Sequence, residues 1–400
     1  MRFKIKWALA LVPALALAMP AYSQTRDPRL ADNDEPGSVL VFPKFINAPA
    51  VNVDGAVLPR TEIEIGVVNP PNTGVVLGEH TTIKVRLHWV CPGKQDVASK
   101  FVCKETDFDV FLSINGKLAF SADGNPLNSN SPRVPAPPCP NGYLIAWVID
   151  NSDRPIKFDG LIGDAVIRGQ NLAGGPSAGS ATAVEGYKAI AIQAHPALAT
   201  SALIGTDTDP ATGTPSLVFD GNYGHYQAVA GKLYGDVKFD RTTAGGGPSP
   251  VNALNKTYLV LLTLDVRSNR PNNPTFVPLD FYNESLATVS TSNPLWEALT
   301  STSVEFLCWG QFALSDIDVN LTQVFQGSRK GIVIAGPAEQ DAFIGINDPS
   351  YTWGDARRTL IGMVQTNEGT AANNFMERGY IFQMFNNSVP IPTRFVPFPF

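Results

Sequence analysis

Two segments of the chain alternate apolar and polar side chains with a period of two. They are residues 61–68 and residues 82–90. The apolar positions are Ile63, Ile65, Val67, Ile83, Val85, Leu87 and Trp89, and the polar positions between them include Glu62, Glu64, Lys84, Arg86 and His88. Because successive side chains of a strand point to opposite faces, this pattern predicts two strands, each with one buried and one solvated face.

A second kind of segment is apolar at odd and even positions alike. Residues 143–149 and 257–266 are of this kind, and each is predicted to be a strand covered on both faces. The first of them lies within residues 139–169, where Asp153 and Pro155 belong to a turn before the next extended run. We expect this stretch to form the centre of the core.

Helical signals are confined to two short segments. One begins at Asn293, a favourable N-cap, with Pro294 at the first helical position. The other covers residues 371–378 and ends before Gly379. The chain also holds 34 glycines and 33 prolines among 400 residues, which suits many short strands joined by turns. The sequence therefore predicts an all-β fold, a large multi-stranded antiparallel β-sandwich with long turn-rich loops and one or two short helices.

The N-terminus has the pattern of a secretory signal peptide. Arg2, Lys4 and Lys6 precede an apolar run at residues 8–18 that is shorter than the ~20 residues of a membrane-spanning helix. Small residues favour cleavage before Gln24, and an earlier pair of alanines offers an alternative cut. We expect residues 1–23 to be removed and the mature protein to be exported, to the periplasm, the cell surface or the medium.

The mature chain, residues 24–400, is predicted to form a single β-sandwich body. Residues 241–255, rich in Gly and Pro, are the best candidate for a sub-boundary within it. Loss of the signal peptide leaves 27 basic and 36 acidic residues, so the formal charge moves from −6 to −9. This acidic balance argues against nucleic acid as a partner. No later apolar run is long enough for an integral helical membrane protein.

Four cysteines, an even number in an exported chain, predict disulfides. They are Cys91, Cys103, Cys139 and Cys308. We favour a bond between Cys91 and Cys103, which closes a short loop, and one between Cys139 and Cys308, which ties distant parts of the chain together. A zinc site is disfavoured because no two of the cysteines form a CxxC pair.

The catalytic patterns in the sequence are weak. Residues 175–179 match G-x-S-x-G, but no apolar strand precedes this serine and no helix follows it, as the nucleophile of a hydrolase requires. The four histidines have no metal-ligand spacing. With no local constellation of catalytic residues, an enzyme is disfavoured and no organic cofactor is implied.

Two short segments are weak candidates for ligand binding. An aromatic turn places Tyr223 and Tyr226 next to His225, where rings can stack on a sugar. Asp316, Asp318 and Asn320 alternate and offer oxygen ligands to calcium, although the glycine of a calcium loop is absent and the alternation also fits the solvated face of a strand.

These patterns favour an exported, disulfide-bonded protein with a structural, surface-assembly, adhesion or binding role. Its partner would be a second copy, another cell-surface protein or a glycan. The apolar segments at residues 39–45 and 395–400 are candidates for strand addition to another subunit. The alternative is a carbohydrate-binding or carbohydrate-active protein. The aromatic C-terminus also resembles the last strand of an outer-membrane β-barrel, a hypothesis that its prolines and the strands apolar on both faces argue against.

Overall fold

The computed structural model of the chain describes residues 31, 34–47, 60–71, 77–78, 81–92, 103–168, 184–208, 215–229, 233–238, 257–264, 275–283, 300–317, 330–336, 338–340, 357–358, 360–370, 373–381, 383–384 and 393–395. The signal peptide, the predicted helix at Asn293, the G-x-S-x-G segment and residues 241–255 lie outside these ranges.

The described residues are almost entirely strands. In chain order, the first twelve are β1 (Val39–Ile46), β2 (Arg60–Val67), β3 (Thr82–Cys91), β4 (Lys104–Ser113), β5 (Lys117–Ser121), β6 (Asn141–Ile149), β7 (Leu161–Arg168), β8 (Val184–Lys188), β9 (Ile190–Ile192), β10 (Thr206–Thr208), β11 (Pro215–Phe219) and β12 (Leu233–Lys238). The rest are β13 (Thr257–Leu262), β14 (Thr275–Asn283), β15 (Thr300–Phe306), β16 (Trp309–Ala313), the helical turn α1 (Leu314–Ile317), β17 (Lys330–Ala335), β18 (Ala338–Gln340), β19 (Arg357–Arg358), β20 (Ile361–Thr370), β21 (Asn373–Ile381), β22 (Gln383–Met384) and β23 (Thr393–Phe395).

These strands form antiparallel sheets, so the predicted all-β, sandwich-like fold is confirmed. Sheet I has the order β4-β3-β6-β1-β9, and sheet II has the order β5-β2-β7-β8. Sheet III is β10-β11-β23. Sheet IV is β19-β18-β14-β17-β12-β22 with β15 on β14, and sheet V is β16-β13-β20-β21.

Sheets I and II pack face to face through a large apolar core. The ring of Trp89 in sheet I meets Phe120 of sheet II edge-on, with centroids 5.9 Å apart. Gly163 of β7 lies so close to β1 that a Cβ atom there would be 2.6 Å from the ring of Phe42. Strand β6 is buried at all but its first residue, as its continuous apolar pattern predicts.

Strand β13 joins this core to a second one. Val260 and Leu262 belong to the large cluster, whereas Leu259 and Leu261 belong to a smaller cluster with residues of sheet IV. Alternate side chains of one strand therefore enter two cores. This is why residues 257–262 are apolar at both odd and even positions.

The prediction of a solvated face on β3 is wrong, whereas that on β2 is confirmed. Glu62 and Glu64 of β2 are partly exposed between buried residues. On β3, Arg86 and His88 are buried instead. The neighbouring strand β4 supplies the reason, since its register places Asp109 opposite Arg86 and covers the polar face with complementary charge.

The prediction of a helix at residues 371–378 is also wrong. Strand β21 runs through this segment and pairs along its length with β20. The hydrogen bonds of this long antiparallel ladder outweigh a local preference for helix. Residues 300–317 form β15, β16 and the helical turn α1.

The structure corrects the disulfide pairing. Cys91 bonds to Cys139, with Cα atoms 5.9 Å apart, because β3 and β6 are adjacent and antiparallel. Cys103 bonds to Cys308, with Cα atoms 6.4 Å apart and 205 positions between them in sequence. This second bond connects the start of β4 to the segment between β15 and β16.

The first segment proposed for strand addition needs correction. Strand β1 contains residues 39–45 and is paired with β6 on one side, and its residues 39–41 are paired with β9 on the other, so that part of the strand has no edge left for another subunit. At the C-terminus, Phe395 pairs with Leu217 in sheet III, and residues 396–400 lie outside the described ranges. No helix in the described part of the chain is long and apolar enough to cross a membrane.

Candidate functional site

A tight loop after β11 carries two of the three residues predicted to stack on a ligand, in an accessible position. Asp220 organises this loop: its Oδ1 accepts a hydrogen bond from the backbone N of Asn222 at 2.9 Å, and its Oδ2 accepts one from Asn222 Nδ2 at 2.8 Å. Gly221 and Gly224 have φ angles of 72° and 95°, which only glycine adopts freely. The loop is thus held by its own side chain and shaped by its glycines.

The imidazole of His225 is fixed against the same carboxylate. Its Nδ1 lies 2.9 Å from each oxygen of Asp220. On its other side the ring covers Gly205, where a Cβ atom would be 3.0 Å from Cδ2 and 3.1 Å from Nε2. An Nδ1–H that donates to Asp220 leaves Nε2 as the second hydrogen-bonding atom of the ring. The ring therefore has one fixed orientation, and the side chain of His225 is 29% exposed.

Tyr223 projects from the tip of the loop and is 70% exposed. Its ring meets His195 edge-on, with centroids 5.6 Å apart. The loops are joined by hydrogen bonds from the N of His195 to the O of His225 and from the N of Gly205 to the O of Gly224. Leu203, 48% exposed, lies two residues before Gly205. We call His195, Leu203, Tyr223 and His225 the corner patch.

Tyr226, the third residue of the predicted stacking set, belongs to the core. It is fully buried, and its ring stacks on Phe219 with centroids 5.3 Å apart. Burial, reinforced by the negative charge of Asp159, raises the pKa of its phenol far above the usual value. A buried ring has no face for an external ligand, so the structure separates Tyr226 from Tyr223 and His225.

A buried polar cluster lies beneath the corner patch. Asp159 Oδ1 accepts hydrogen bonds from Ser38 Oγ at 2.7 Å and from the backbone N of Ala194 at 2.8 Å. Lys157 Nζ lies 3.4 Å from Asp159 Oδ2 and donates to the backbone oxygen of His195 at 3.1 Å. Burial raises the pKa of Asp159 although these bonds act to lower it. We call Ser38, Lys157 and Asp159 the Asp159 cluster.

The sequence offers a signal for part of this arrangement. The run Asp220-Gly221-Asn222 is a favourable start for a turn held by an Asp side chain. Nothing local marks Asp159, whose partners come from residues 121 and 35 positions away.

A second polar cluster crosses the edge of sheet I. Arg86 donates to both oxygens of Asp109, at 2.9 and 3.1 Å, and Lys84 Nζ lies 2.9 Å from Asp109 and 2.6 Å from Asp153. Burial acts to raise the pKa of Asp109, but the hydrogen bonds from Arg86 and Lys84 outweigh it and hold that pKa below its usual value. Every charge in the cluster has a partner, which is the arrangement expected of a structural network.

His88 lies on the same face as that cluster and is not a solvated surface residue. Its ring tilts against Trp147 with centroids 4.6 Å apart, and its Nδ1 is 3.4 Å from Glu105 Oε2. Burial, helped by the positive charge of Arg86, lowers the pKa of His88 to about 3. The imidazole is therefore neutral at neutral pH.

The calcium prediction concerns residues around α1. Asp316 is exposed in this helical turn, which does not continue the strand alternation assumed for it. Asp318 and Asn320 lie outside the described ranges. Among the residues that the structure describes, no group of three or more His, Cys, Asp or Glu side chains is placed to hold a metal ion.

Comparison with known proteins gives no family assignment. No protein-family model matches the chain, and no curated protein is similar to it in sequence. The geometry alone defines what the site can do. It presents one exposed aromatic ring, one oriented imidazole and an Asn side chain on a fixed loop, a set suited to binding a polar ligand with an apolar face.

Proposed function

We propose that the protein is an exported structural protein of the periplasm, cell surface or extracellular matrix, with an adhesion, assembly or binding role. The observation that carries this proposal is the pair of disulfides within an all-β fold. Disulfides form and persist in oxidising compartments, where they add to the stability of an exported scaffold. The signal-peptide pattern at residues 1–23 supports the same conclusion from the sequence.

The proposal includes a single body for residues 24–400. Three kinds of contact between the two halves of the chain support it. They are the Cys103–Cys308 bond, a hydrogen bond of 2.8 Å from Trp309 Nε1 to the backbone oxygen of Pro43, and the shared apolar cluster of sheets I, II and V. A single body held together by these contacts can transmit force between a surface and a partner.

The corner patch is the surface that we assign to binding. Exposed aromatic residues on rigid backbone are frequent anchors of protein interfaces, because little conformational entropy is lost when they bind. The experiment compares the mature wild-type protein with the variants Tyr223→Ala and Phe111→Ala in adhesion to cells or matrix and in light scattering at rising concentration. Phe111 is 65% exposed on β4, away from the corner patch, and is the matched control.

We expect wild type and Phe111→Ala to adhere or to self-associate, and Tyr223→Ala to lose this property. A mature protein that stays strictly monomeric and non-adherent at high concentration contradicts the assembly and adhesion role. Equal loss in both variants contradicts the assignment to the corner patch and leaves the wider role standing.

A second candidate function is carbohydrate binding at the same patch. It is favoured by the open face of Tyr223 beside His195, with hydrogen-bonding groups of Asn222 and His225 on the same loop. Sugars offer such a site an apolar face and hydroxyl groups together. A glycan array with the wild type and the two variants tests it. Binding that Tyr223→Ala abolishes and Phe111→Ala retains supports this function, and no binding or hydrolysis across the array contradicts it.

A further inference from the structure

Lys44 of β1 is a fully buried lysine held from several sides. Its backbone oxygen accepts a hydrogen bond from the hydroxyl of Tyr187, and the oxygen of the preceding Pro43 accepts one from Trp309 Nε1 at 2.8 Å. The pairing register of β1 with β6 shifts between Phe42 and Phe45, so the lysine lies in an irregular part of the strand. Both the backbone and the side chain are thus fixed in the core.

The amine of Lys44 contacts the side chain of Gln365. Nζ donates a hydrogen bond to Oε1, and both residues are fully buried. Gln365 belongs to β20 in sheet V and pairs there with Tyr258 and Gly379. The two side chains come from sheets I and V, 321 positions apart in sequence. An amine and a carboxamide from distant strands are held together where water is excluded.

A reaction between the two groups needs the neutral form of the amine. Burial disfavours the ammonium ion, and the neutral amine is the nucleophilic form of lysine. Nζ contacts Oε1, and Cδ is bonded to Oε1 at a distance of about 1.23 Å. Fixed side chains that hold two reacting groups next to each other replace a bimolecular collision with an intramolecular step, which raises its rate.

We propose that Lys44 and Gln365 are joined by an intramolecular isopeptide bond. The lone pair of Nζ adds to Cδ, the Cδ–Nε2 bond breaks, and a proton passes from Nζ to Nε2, which leaves as ammonia. The step consumes no oxidant or other co-reactant. Its product is a secondary amide between β1 and β20.

The position of this bond gives it a clear effect. It connects sheet I to sheet V and does not depend on redox conditions, whereas the Cys103–Cys308 bond between the same halves of the chain is lost on reduction. A covalent closure across 321 positions also restricts the unfolded chain more than a short loop would. The proposal does not depend on which ligand the corner patch binds.

The test is a tryptic peptide map of the reduced and alkylated mature protein. Without the bond, trypsin cuts after Lys44 and gives residues 30–44 and 45–60, with Gln365 in a linear peptide of residues 359–378. With the bond, the cut after Lys44 is lost. We expect a branched peptide of residues 30–60 and 359–378 whose mass is lower than their sum by one ammonia.

The intact mass alone does not suffice, because an N-terminal Gln24 also loses ammonia when it cyclises; the peptide map separates the two losses. The matched variant is Gln365→Met, which keeps a long buried side chain and removes the carboxamide. It is expected to restore the cut after Lys44 and to yield linear peptides only. Wild-type protein that gives residues 30–44, 45–60 and 359–378 as linear, unmodified peptides overturns the proposal, whatever the behaviour of the variant.

Discussion

Two aspartates in neighbouring parts of the molecule show how similar chemistry serves an interior cluster and a surface loop. Their side chains are 13% and 11% exposed, so it is their partners that differ. Asp159 is buried and accepts hydrogen bonds from Ser38 and the backbone of Ala194. Asp220 lies at the surface loop and holds Asn222 and His225. Each carboxylate is saturated by groups of its own protein. The inner one fixes the loop that carries His195 from below, and the outer one fixes the loop that carries Tyr223.

The comparison explains why the corner patch is suited to binding. Its carboxylate is already occupied, so the groups offered to a partner are the ring of Tyr223, the edge of the imidazole and the side chains of Asn222 and Leu203. Because both supporting loops are anchored in the core, the patch does not have to order itself when a partner arrives.

Among the substitutions of polar groups, the largest effect is expected from removing the inner carboxylate. The substitution Asp159→Ala leaves the Ser38 hydroxyl and the Ala194 amide without their acceptor in a buried site. It also removes the carboxylate that pairs with the Lys157 amine. The free energy of unfolding should fall by about 3 kcal/mol. Urea denaturation of the mature protein measures it. A loss of less than about 0.5 kcal/mol, the size of an ordinary surface substitution, would place Asp159 outside the structural core.

The pH dependence of the unfolding free energy is a second test of the role of Asp159. Because the pKa of Asp159 is raised in the folded protein above its usual 3.8, the native state binds the proton more tightly than the unfolded state does. As the pH rises from 3.8 to the native pKa, the unfolding free energy of the wild type should therefore fall relative to Asp159→Asn. The difference between the two proteins isolates this group from the other carboxylates. A wild-type advantage that grows with pH in that window contradicts the assignment.

A smaller effect, of opposite sign, is expected at Tyr226. Its buried hydroxyl has no hydrogen-bond partner in the described part of the chain. Since the substitution Tyr226→Phe removes this group and keeps the ring on Phe219, stability should stay the same or rise by up to about 1 kcal/mol. Thermal or urea denaturation measures it. A clear loss of stability would show that the hydroxyl is bonded and would join Tyr226 to the Asp159 cluster.

The smallest effect on stability is expected at the tip of the outer loop. Tyr223→Ala should change the unfolding free energy by less than about 0.5 kcal/mol, because the ring is exposed. Tyr226→Ala is the matched control, three positions along, and should lose about 3 to 5 kcal/mol on removal of a buried ring. Similar losses in both variants would mean that Tyr223 supports the fold, and the comparison between surface and interior would fail.

The sequence predicts those parts of the fold in which the apolar and polar pattern of a single strand indicates which of its faces are buried. Alternation identified β2, and continuous apolar character identified β6. The errors arise where the partner is distant. Asp109 covers the polar face of β3, and pairing with β20 forms a strand at residues 373–381, where a helix was predicted over residues 371–378.

The same division holds for the candidate site. Adjacent aromatic and imidazole groups in the sequence led to Tyr223 and His225, whose role in ligand binding stays a prediction. The sequence could not separate Tyr226 from them, because only the bridges that Tyr226 makes with Ala194 and Phe219 turn its side chain inward. The pairing of Cys103 with Cys308 is equally non-local and has no signal in cysteine spacing.

The central claim is an exported scaffold whose halves are tied by disulfides, and a non-reducing peptide map tests it most directly. Mature protein, recovered from cells that export it and alkylated before digestion, should give peptides that link Cys91 to Cys139 and Cys103 to Cys308. Free, alkylated thiols at these positions, or a map in which Cys139 is linked to Cys308, would contradict the account.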